Sequence, residues 1–520
     1  MPHRALHALP LAFAAGLLAA CGFAPLELWP LSLICLAGLI LLLERATTLA
    51  RAVALGWWFG FGSFCLGLNW IATAFTYQAA MPAWLGIVAV VLLSLYLAVY
   101  PAFATGAAWA LTRVVPGRWP LVLFLAATWI ANEWLRATVF TGFAWNPLAA
   151  MWAPLWPLAG IVALVGTYGL SGLTLLLAGV LPMAVRGLRD GFVQAELGQR
   201  RGRAVILAAV GGAIAFACVS LFVPLMAVEP KADPTAPLLH VVQPNIGQAE
   251  KWSPDAEARN FARLASLSGT PGLRPRLILW PEVAVPAFLE EDPAARAQIA
   301  SLLGPHDLML TGAEAIQYDS AGQIVSATNS LFGLDPQGRL LGRYDKSHLV
   351  PYGEYLPMRP ILSRIGLSRL APGDMDFLAG PGPRDLTLPG IGAVGVQICY
   401  EIIFSGHVVD EAHRPRFLFN PSNDAWFGRW GPPQHLAQAR LRAIEEGVPV
   451  VRATPTGISA IVDAHGRLLA SLPWRTPGAI EQPLPRTAPP TLFSRWGNFL
   501  SGGLALVLLL IGFASRRRAG

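Results

Sequence analysis

Ala393-Val394-Gly395-Val396-Gln397-Ile398-Cys399-Tyr400-Glu401 reads as an apolar, β-branched strand that delivers a cysteine at its carboxyl end, before a turn at Ser405-Gly406. A nucleophile so placed is held rigidly while its sulfur faces a crevice. Taken alone, a cysteine there is more often core packing. A second apolar strand, Arg276-Leu277-Ile278-Leu279-Trp280, runs straight into Pro281-Glu282. Desolvation at a strand end favours the neutral form of such a carboxylate and makes it a credible proton acceptor from a thiol. The third piece is Tyr344-Asp345-Lys346-Ser347-His348-Leu349. A buried Lys346 ammonium would stabilise an oxyanion and favour the thiolate, although a surface ion pair is the usual fate of a lysine.

These three stretches lie in a region of short apolar runs alternating with amphipathic ones. Further strand candidates are Leu238–Gln243, Leu308–Gly312, Ser330–Leu334, Phe417–Asn420 and Val448–Ala453. Helix candidates fall at Pro254–Ser268, Pro293–Leu303 and Pro433–Glu446. Mixed short strands and helices indicate a layered α/β domain, expected over residues 237–490. No internal repeat or low-complexity tract interrupts it.

The rest of the chain is of another kind. The 520 residues are 54% hydrophobic and only 13% charged, against about 25% charged in an average soluble domain. About seven apolar segments fill 1–228, near 8–24, 28–43, 52–72, 83–112, 119–136, 158–185 and 204–226, and an eighth lies near 498–514 within 491–520. Each approaches the ~20 residues that cross a bilayer. Pro101 is placed to kink the fourth. Residues 229–236 read as a linker. A formal charge of +7 could suggest nucleic acid, but the arginines gather in short loops and no basic patch interleaves with aromatics. Arg4, Arg45, Arg51, Arg113, Arg118, Arg186, Arg189, Arg200, Arg201 and Arg203 occupy the N-terminus and alternate loops. The positive-inside rule therefore puts the N-terminus and the Arg516-Arg517-Arg518 tail in the cytoplasm and the α/β domain outside.

Of five cysteines, Cys21, Cys35, Cys65 and Cys218 lie in apolar runs and only Cys399 in the polar half, so no disulfide, metal site or cofactor is expected. Leu18-Ala19-Ala20-Cys21 also reads as a lipoprotein signal cleavage site, though a polytopic helix with a chance Ala-Cys is the commoner case. Glu133 and Arg136, one turn apart in an apolar segment, read either as a substrate-contacting pair or as a structural ion pair.

Strand-Pro281-Glu282, Tyr344-x-Lys346-x-His348-Leu349-Val350-Pro351 and strand-Cys399-Tyr400-Glu401, in this order, resemble the Glu-Lys-Cys set of the nitrilase (carbon–nitrogen hydrolase) superfamily. With the helices added, the chain resembles the apolipoprotein N-acyltransferases of bacterial inner membranes. The matches include Gly22-Phe23-Ala24-Pro25, Gly60-Phe61-Gly62, Asn69-Trp70-Ile71, Thr141 to Asn146, Gln243-Pro244-Asn245, Lys251-Trp252, Val350 to Tyr355, Ser422 to Phe427, Gln434-His435 and Arg452-Ala453-Thr454. Pro455 departs from the family pattern, where Asn is expected.

The resemblance implies a polytopic membrane domain of about eight helices carrying a nitrilase-like αββα sandwich. It implies transfer of an acyl chain from a glycerophospholipid, through a Cys399 thioester, to the α-amino group of the diacylglyceryl-cysteine of an apolipoprotein. Glu282 would be the base and Lys346 the oxyanion stabiliser, with Glu354 and Glu401 supporting them. Trp252, Tyr400 and Trp426 would line or cover the site. The chain would act as a monomer in the bacterial inner membrane with its catalytic domain periplasmic and its site opening at the membrane face. Two other readings stand beside this one: a membrane-anchored amidase or nitrilase with water as acceptor, and a transporter or receptor with a dead enzyme domain. The second is disfavoured by the near absence of mid-membrane charge and by the survival of all three catalytic residues.

Overall fold

The computed structural model describes residues 7–77, 82–196, 236–251, 253–365, 376–410 and 413–515. The seventh apolar segment, nearly all of the linker, Trp252 and the terminal arginine triplet lie outside them. By internal contacts the chain forms two compact units. One takes its described residues from 7–69, 90–196 and 495–515; the other takes them from 70–89 and 236–494.

The first unit is helical. Its helices are Ala8–Ala20, Trp29–Glu44, Leu49–Gly67, Leu85–Leu97 (whose first turns belong to the other unit), Val99–Thr112, Arg118–Thr138, Val162–Glu196 and Phe499–Ala514. Three stretches, Leu49–Gly67, Leu85–Thr112 and Val162–Pro182, are long and apolar enough to cross a membrane, and Ala8–Ala20, Trp29–Glu44 and Phe499–Ala514 are shorter apolar helices. The 83–112 segment divides at Ala98, with Pro101 in the first turn of the second piece, where its missing N–H costs nothing. Ala8–Ala20 and Leu49–Gly67 cross backbone to backbone. A Cβ on Gly16 would stand 2.0 Å from the Phe59 carbonyl oxygen, and one on Gly62 would stand 2.3 Å from that of Phe13. Glu133 and Arg136 both turn to the main chain of the segment that follows their helix. Arg136 Nη1 donates to the carbonyls of Phe143 (2.8 Å) and Trp145 (2.7 Å), and Glu133 Oε1 accepts from the Leu148 amide (2.9 Å).

The second unit is built on two six-stranded sheets. The strands are β1 (Leu238–Gln243), β2 (Arg276–Leu279), β3 (Leu308–Tyr318), β4 (Ile324–Leu334), β5 (Leu340–Asp345), β6 (Asp385–Leu388), β7 (Gly392–Val396), β8 (Phe417–Pro421), β9 (Val450–Ala453), β10 (Ala460–Val462), β11 (Leu468–Ser471) and β12 (Gly478–Pro483). Their orders are β12-β1-β2-β3-β4-β5 and β11-β10-β9-β8-β7-β6. The sheets face each other where β1 meets β9 and β5 meets β6. Strands β1, β2 and β3 run parallel, as do β7, β8 and β9, and such strands are apolar on both faces because both are covered. On the outer face of the first sheet, Ile278, Trp280, Met309 and Phe332 pack with Leu264, Phe261 and Ile299 from the helices Glu257–Leu267 and Pro293–Ala300. The helix Gly431–Glu446 connects β8 to β9 and packs against β9. In this αββα sandwich the parallel strands of each sheet present their carboxyl ends at one edge, and Glu282, Cys399 and Ser422 each follow such an end.

Within this unit Trp70 stacks edge-on against Phe427 (4.6 Å between ring centres) and Tyr77 against Trp426 (5.7 Å). Gly428 has φ +55°, and a Cβ on it would meet Thr73 Oγ1 at 2.5 Å. The 70–77 segment is thereby built into the α/β unit.

Candidate active site

Glu282, Lys346 and Cys399 each follow a strand end and are buried. β7 stops at Val396, and Cys399 opens a 3₁₀ turn, Cys399–Ile403, rather than closing the strand. Its φ is +52°, a conformation that a side chain other than glycine adopts only when its surroundings impose it. The strand expected to reach Cys399 ends three residues earlier: Gln397 N still bonds to Phe419 of β8, but from Ile398 the chain turns, and the Glu401 amide donates back to the Ile398 carbonyl.

Glu282 follows β2 by three residues and Lys346 follows β5 by one. Lys346 Nζ donates to Glu354 Oε1 at 2.9 Å and to Glu282 Oε1 at 3.4 Å, with the lysine side chain 1% exposed. Asn329 of β4 bridges the two carboxylates, donating through Nδ2 to Glu282 Oε1 (2.7 Å) and Glu354 Oε1 (3.0 Å). Glu354 Oε2 accepts from the Val350 amide (2.8 Å), which fixes it within its own Pro351–Tyr355 turn.

Glu401 is a junction. Its Oε1 accepts from Tyr344 Oη (2.9 Å), from Ser347 N and Oγ (2.7 Å each) and from His348 N (3.1 Å), while Oε2 accepts from Ile398 N (2.6 Å). One buried side chain thus ties the lysine loop to the cysteine turn. Tyr400 is buried against Phe404 and His348. Trp426 is partly exposed beside Tyr77.

The electrostatics set a resting protonation state. Burial alone would raise the Glu282 carboxyl. Lys346 and Lys251, with hydrogen bonds from Asn329 and the Cys399 thiol, outweigh it and hold the group below the usual carboxylate range. The preference for the neutral form expected from desolvation is therefore reversed by the two lysines. Burial would neutralise Lys346, but Glu354 and Glu282 raise it far above an ordinary lysine. Burial, and next the charge of Glu282, push the Cys399 thiol well up against the opposing pull of Lys346. At neutral pH the site therefore holds an ionised Glu282, an ammonium and a protonated thiol. Such a set could supply a base ready for a proton and a nucleophile that still has one.

Reading the sequence missed two participants. Asn329 stands one residue before the strand candidate Ser330–Leu334, and its signal is the polar run Thr328-Asn329-Ser330 inside a largely buried strand. Lys251 was seen only as a motif neighbour of Trp252. Its Nζ donates to the Glu282 carbonyl (3.0 Å), and burial lowers its amine to about 8. Lys251, Glu282 and Pro455 also line a cavity of about 460 Å³.

Residues 15–180 match the family described as the apolipoprotein N-acyltransferase N-terminal domain, and residues 239–487 match the carbon-nitrogen hydrolase family. An apolipoprotein N-acyltransferase of Rhodopseudomonas palustris is 34% identical over 98% of this chain and 95% of its own. One from Sinorhizobium fredii is 35% identical over 97% and 95%. A solved amidase from a Nesterenkonia species aligns over 49% of this chain and 93% of its own, with 17% identity and a TM-score of 0.34. Both alignments run through the two matched regions of this chain, and the chain belongs to the apolipoprotein N-acyltransferase family.

Proposed function

We propose that the chain is a membrane acyltransferase that moves an acyl group from a glycerophospholipid to the N-terminal α-amine of an apolipoprotein, with Cys399 as nucleophile. The observation that carries the site assignment is the Glu282–Lys346–Glu354 cluster gathered beside a strained, buried Cys399. Glu282 takes the thiol proton as Sγ attacks the ester carbonyl, and the Lys346 ammonium meets the charge that develops on oxygen. The tetrahedral adduct collapses with cleavage of the C–O bond, and the proton on Glu282 passes to the leaving lysophospholipid oxygen. A thioester remains on Sγ. In the second half the acceptor amine attacks that thioester and gives a proton to Glu282. The C–S bond breaks, the amide is complete and the proton returns to sulfur. A thioester suits the task because an amine attacks it far more readily than an oxygen ester. Glu401 and Glu354 position the cysteine turn and Lys346, and Tyr400 and Trp426 border the substrate space.

The three long apolar helices and three shorter ones support a multi-pass membrane protein, and the apolar segments of the sequence extend this reading to about eight crossings in a bacterial inner membrane. The arginine distribution supports cytoplasmic termini and a periplasmic α/β unit. The test is acyl transfer from phosphatidylethanolamine to a diacylated lipopeptide with a free N-terminal cysteine, read by mass spectrometry for the wild type and Cys399→Ala. One acyl mass gained on the amine with the wild type alone supports the reading. Free fatty acid with an unchanged lipopeptide would instead favour a hydrolase.

A further inference from the structure

Beneath the nucleophile lies a second buried polar cluster that the mechanism above leaves unused. His435 sits on the helix Gly431–Glu446, Asp424 on the turn after β8, and Arg452 on β9; all three side chains are fully buried. Arg452 Nη2 reaches both Asp424 oxygens at 2.5 Å and His435 Nδ1 at 2.9 Å, and Nη1 reaches Ser422 Oγ (3.1 Å) and Asn420 Oδ1. The far ring nitrogen, His435 Nε2, stands 3.0 Å from the Cys399 carbonyl oxygen, which also accepts from Asn420 Nδ2 (3.2 Å).

A carbonyl can only accept, so Nε2 must carry the proton. Nδ1 stands between two partners with opposite demands, the Asp424 Oδ1 acceptor at 3.0 Å and the Arg452 guanidinium donor at 2.9 Å. Whichever of them Nδ1 serves, Nε2 keeps the proton that the Cys399 carbonyl accepts. Burial, and then the Arg452 charge, hold His435 below the ordinary imidazole range in spite of Asp424.

We propose that His435, oriented by Arg452 and Asp424, is a positioning residue that clamps the Cys399 carbonyl and so holds the nucleophile in its left-handed conformation with the sulfur beside Glu282. The inference rests on Cys399 being the nucleophile. Without the clamp the residue relaxes toward negative φ, which swings Sγ away from the base. A displacement of about 1 Å at a reacting atom costs up to about a hundredfold in rate.

The experiment is single-turnover acylation of the full-length enzyme by phosphatidylethanolamine, with the Cys399 thioester followed by intact mass. His435→Leu keeps the bulk and loses the donor; His435→Gln places an amide N–H where Nε2 was. The expected result is acylation slowed at least about tenfold in H435L, with KM for phospholipid within about twofold of wild type, and most of the rate restored in H435Q. Acylation by H435L at the wild-type rate overturns the proposal, and so does an H435Q as slow as H435L, because packing alone would then explain both. Should H435L fail to fold, Asp424→Asn, which weakens the Arg452 anchor, must slow acylation with KM unchanged; a wild-type rate there also overturns it. Transfer that survives in Cys399→Ala would sink the nucleophile assignment itself, whereas a dead Cys399→Ala beside an unaffected H435L would sink only the clamp.

Discussion

Replacing Glu354 by Gln removes one negative charge from a buried cluster without changing its shape. In the wild type the Lys346 ammonium is shared between Glu354 at 2.9 Å and Glu282 at 3.4 Å. Breaking a buried pair by neutralising one partner costs about 3–5 kcal/mol when the other charge is stranded. Glu282 remains within reach, so the loss should fall at the lower end, about 3 kcal/mol. For a domain of this size that corresponds to a Tm lower by roughly 6–12 °C. The catalytic effect has a direction of its own. Lys346 is freed to close on Glu282, which stabilises that carboxylate further and makes it a poorer base, and the ammonium leaves the place where it would meet the oxyanion. Losing one preorganised electrostatic contact to the transition state costs about 10²–10³ in kcat. Cys399 meanwhile feels a less neutralised lysine, so its thiol should become more acidic. The assays are steady-state acyl transfer and the rate of iodoacetamide labelling of Cys399 at pH 7.5. Transfer should fall about a hundredfold while labelling stays level or quickens. A transfer rate within about threefold of wild type would refute the reasoning, and so would labelling that slows in step with transfer.

Glu401→Gln should lower both Tm and kcat, because an amide cannot accept from Tyr344, Ser347, His348 and Ile398 as a carboxylate does; hydrogen bonds to a charged group contribute about 1.5–3 kcal/mol each, and an unchanged melting curve would argue against the junction. Gly428→Ala should destabilise by about 1–3 kcal/mol, since φ is +55° and the new methyl would meet Thr73 Oγ1; a wild-type Tm would show that the 70–77 segment can yield. Lys251 titrates near 8 when folded, below an unfolded lysine, so the unfolded chain binds more protons between that value and the ordinary lysine range. Stability should therefore rise with pH from about 8 to 10 through this group, and Lys251→Met should flatten that rise in a Tm-against-pH series; an unchanged slope refutes the assignment. Cys399 of the resting enzyme should label more slowly at pH 7 than a free cysteine, since burial and Glu282 both disfavour its thiolate; labelling faster than the free thiol would contradict the resting state described above.

What the sequence made legible follows from which signals are local. β1 was read to the residue, and β2, β8 and β9 nearly so, because buried parallel strands leave uninterrupted apolar runs. β5, β11 and β12 carry no such run: Leu340–Asp345, Leu468–Ser471 and Gly478–Pro483 are partly exposed, so their pairing partners decide their structure. β6, half-buried, and β10, buried, are only four and three residues long, too brief for a period to show. In the site, Glu282, Lys346 and Cys399 announced themselves through motifs at strand ends. Asn329 and His435 did not, since their roles rest on partners 47 and 36 residues away in the chain.

The charges explain why so much of the fold is given to holding one cysteine. A thiol surrounded by carboxylates would ordinarily be the worst nucleophile in the protein, and Glu282 and Asp424 both raise it. Two lysines offset those carboxylates. Lys346 and Lys251 keep Glu282 ionised, so the base is ready although the thiol is not. A thiolate standing ready in the resting enzyme would be open to any electrophile or oxidant. In the proposed reaction the proton leaves sulfur only as a carbonyl arrives to take the electron pair, which would tie reactivity to substrate. That arrangement works only if Sγ is already aimed. A left-handed Cys399, held through its carbonyl from below and through Ile398 by Glu401 from the side, supplies the aim. The catalytic cluster and the two buried supports are therefore parts of one device: electrostatics delay the nucleophile, and geometry ensures that the delay costs little once the ester is bound.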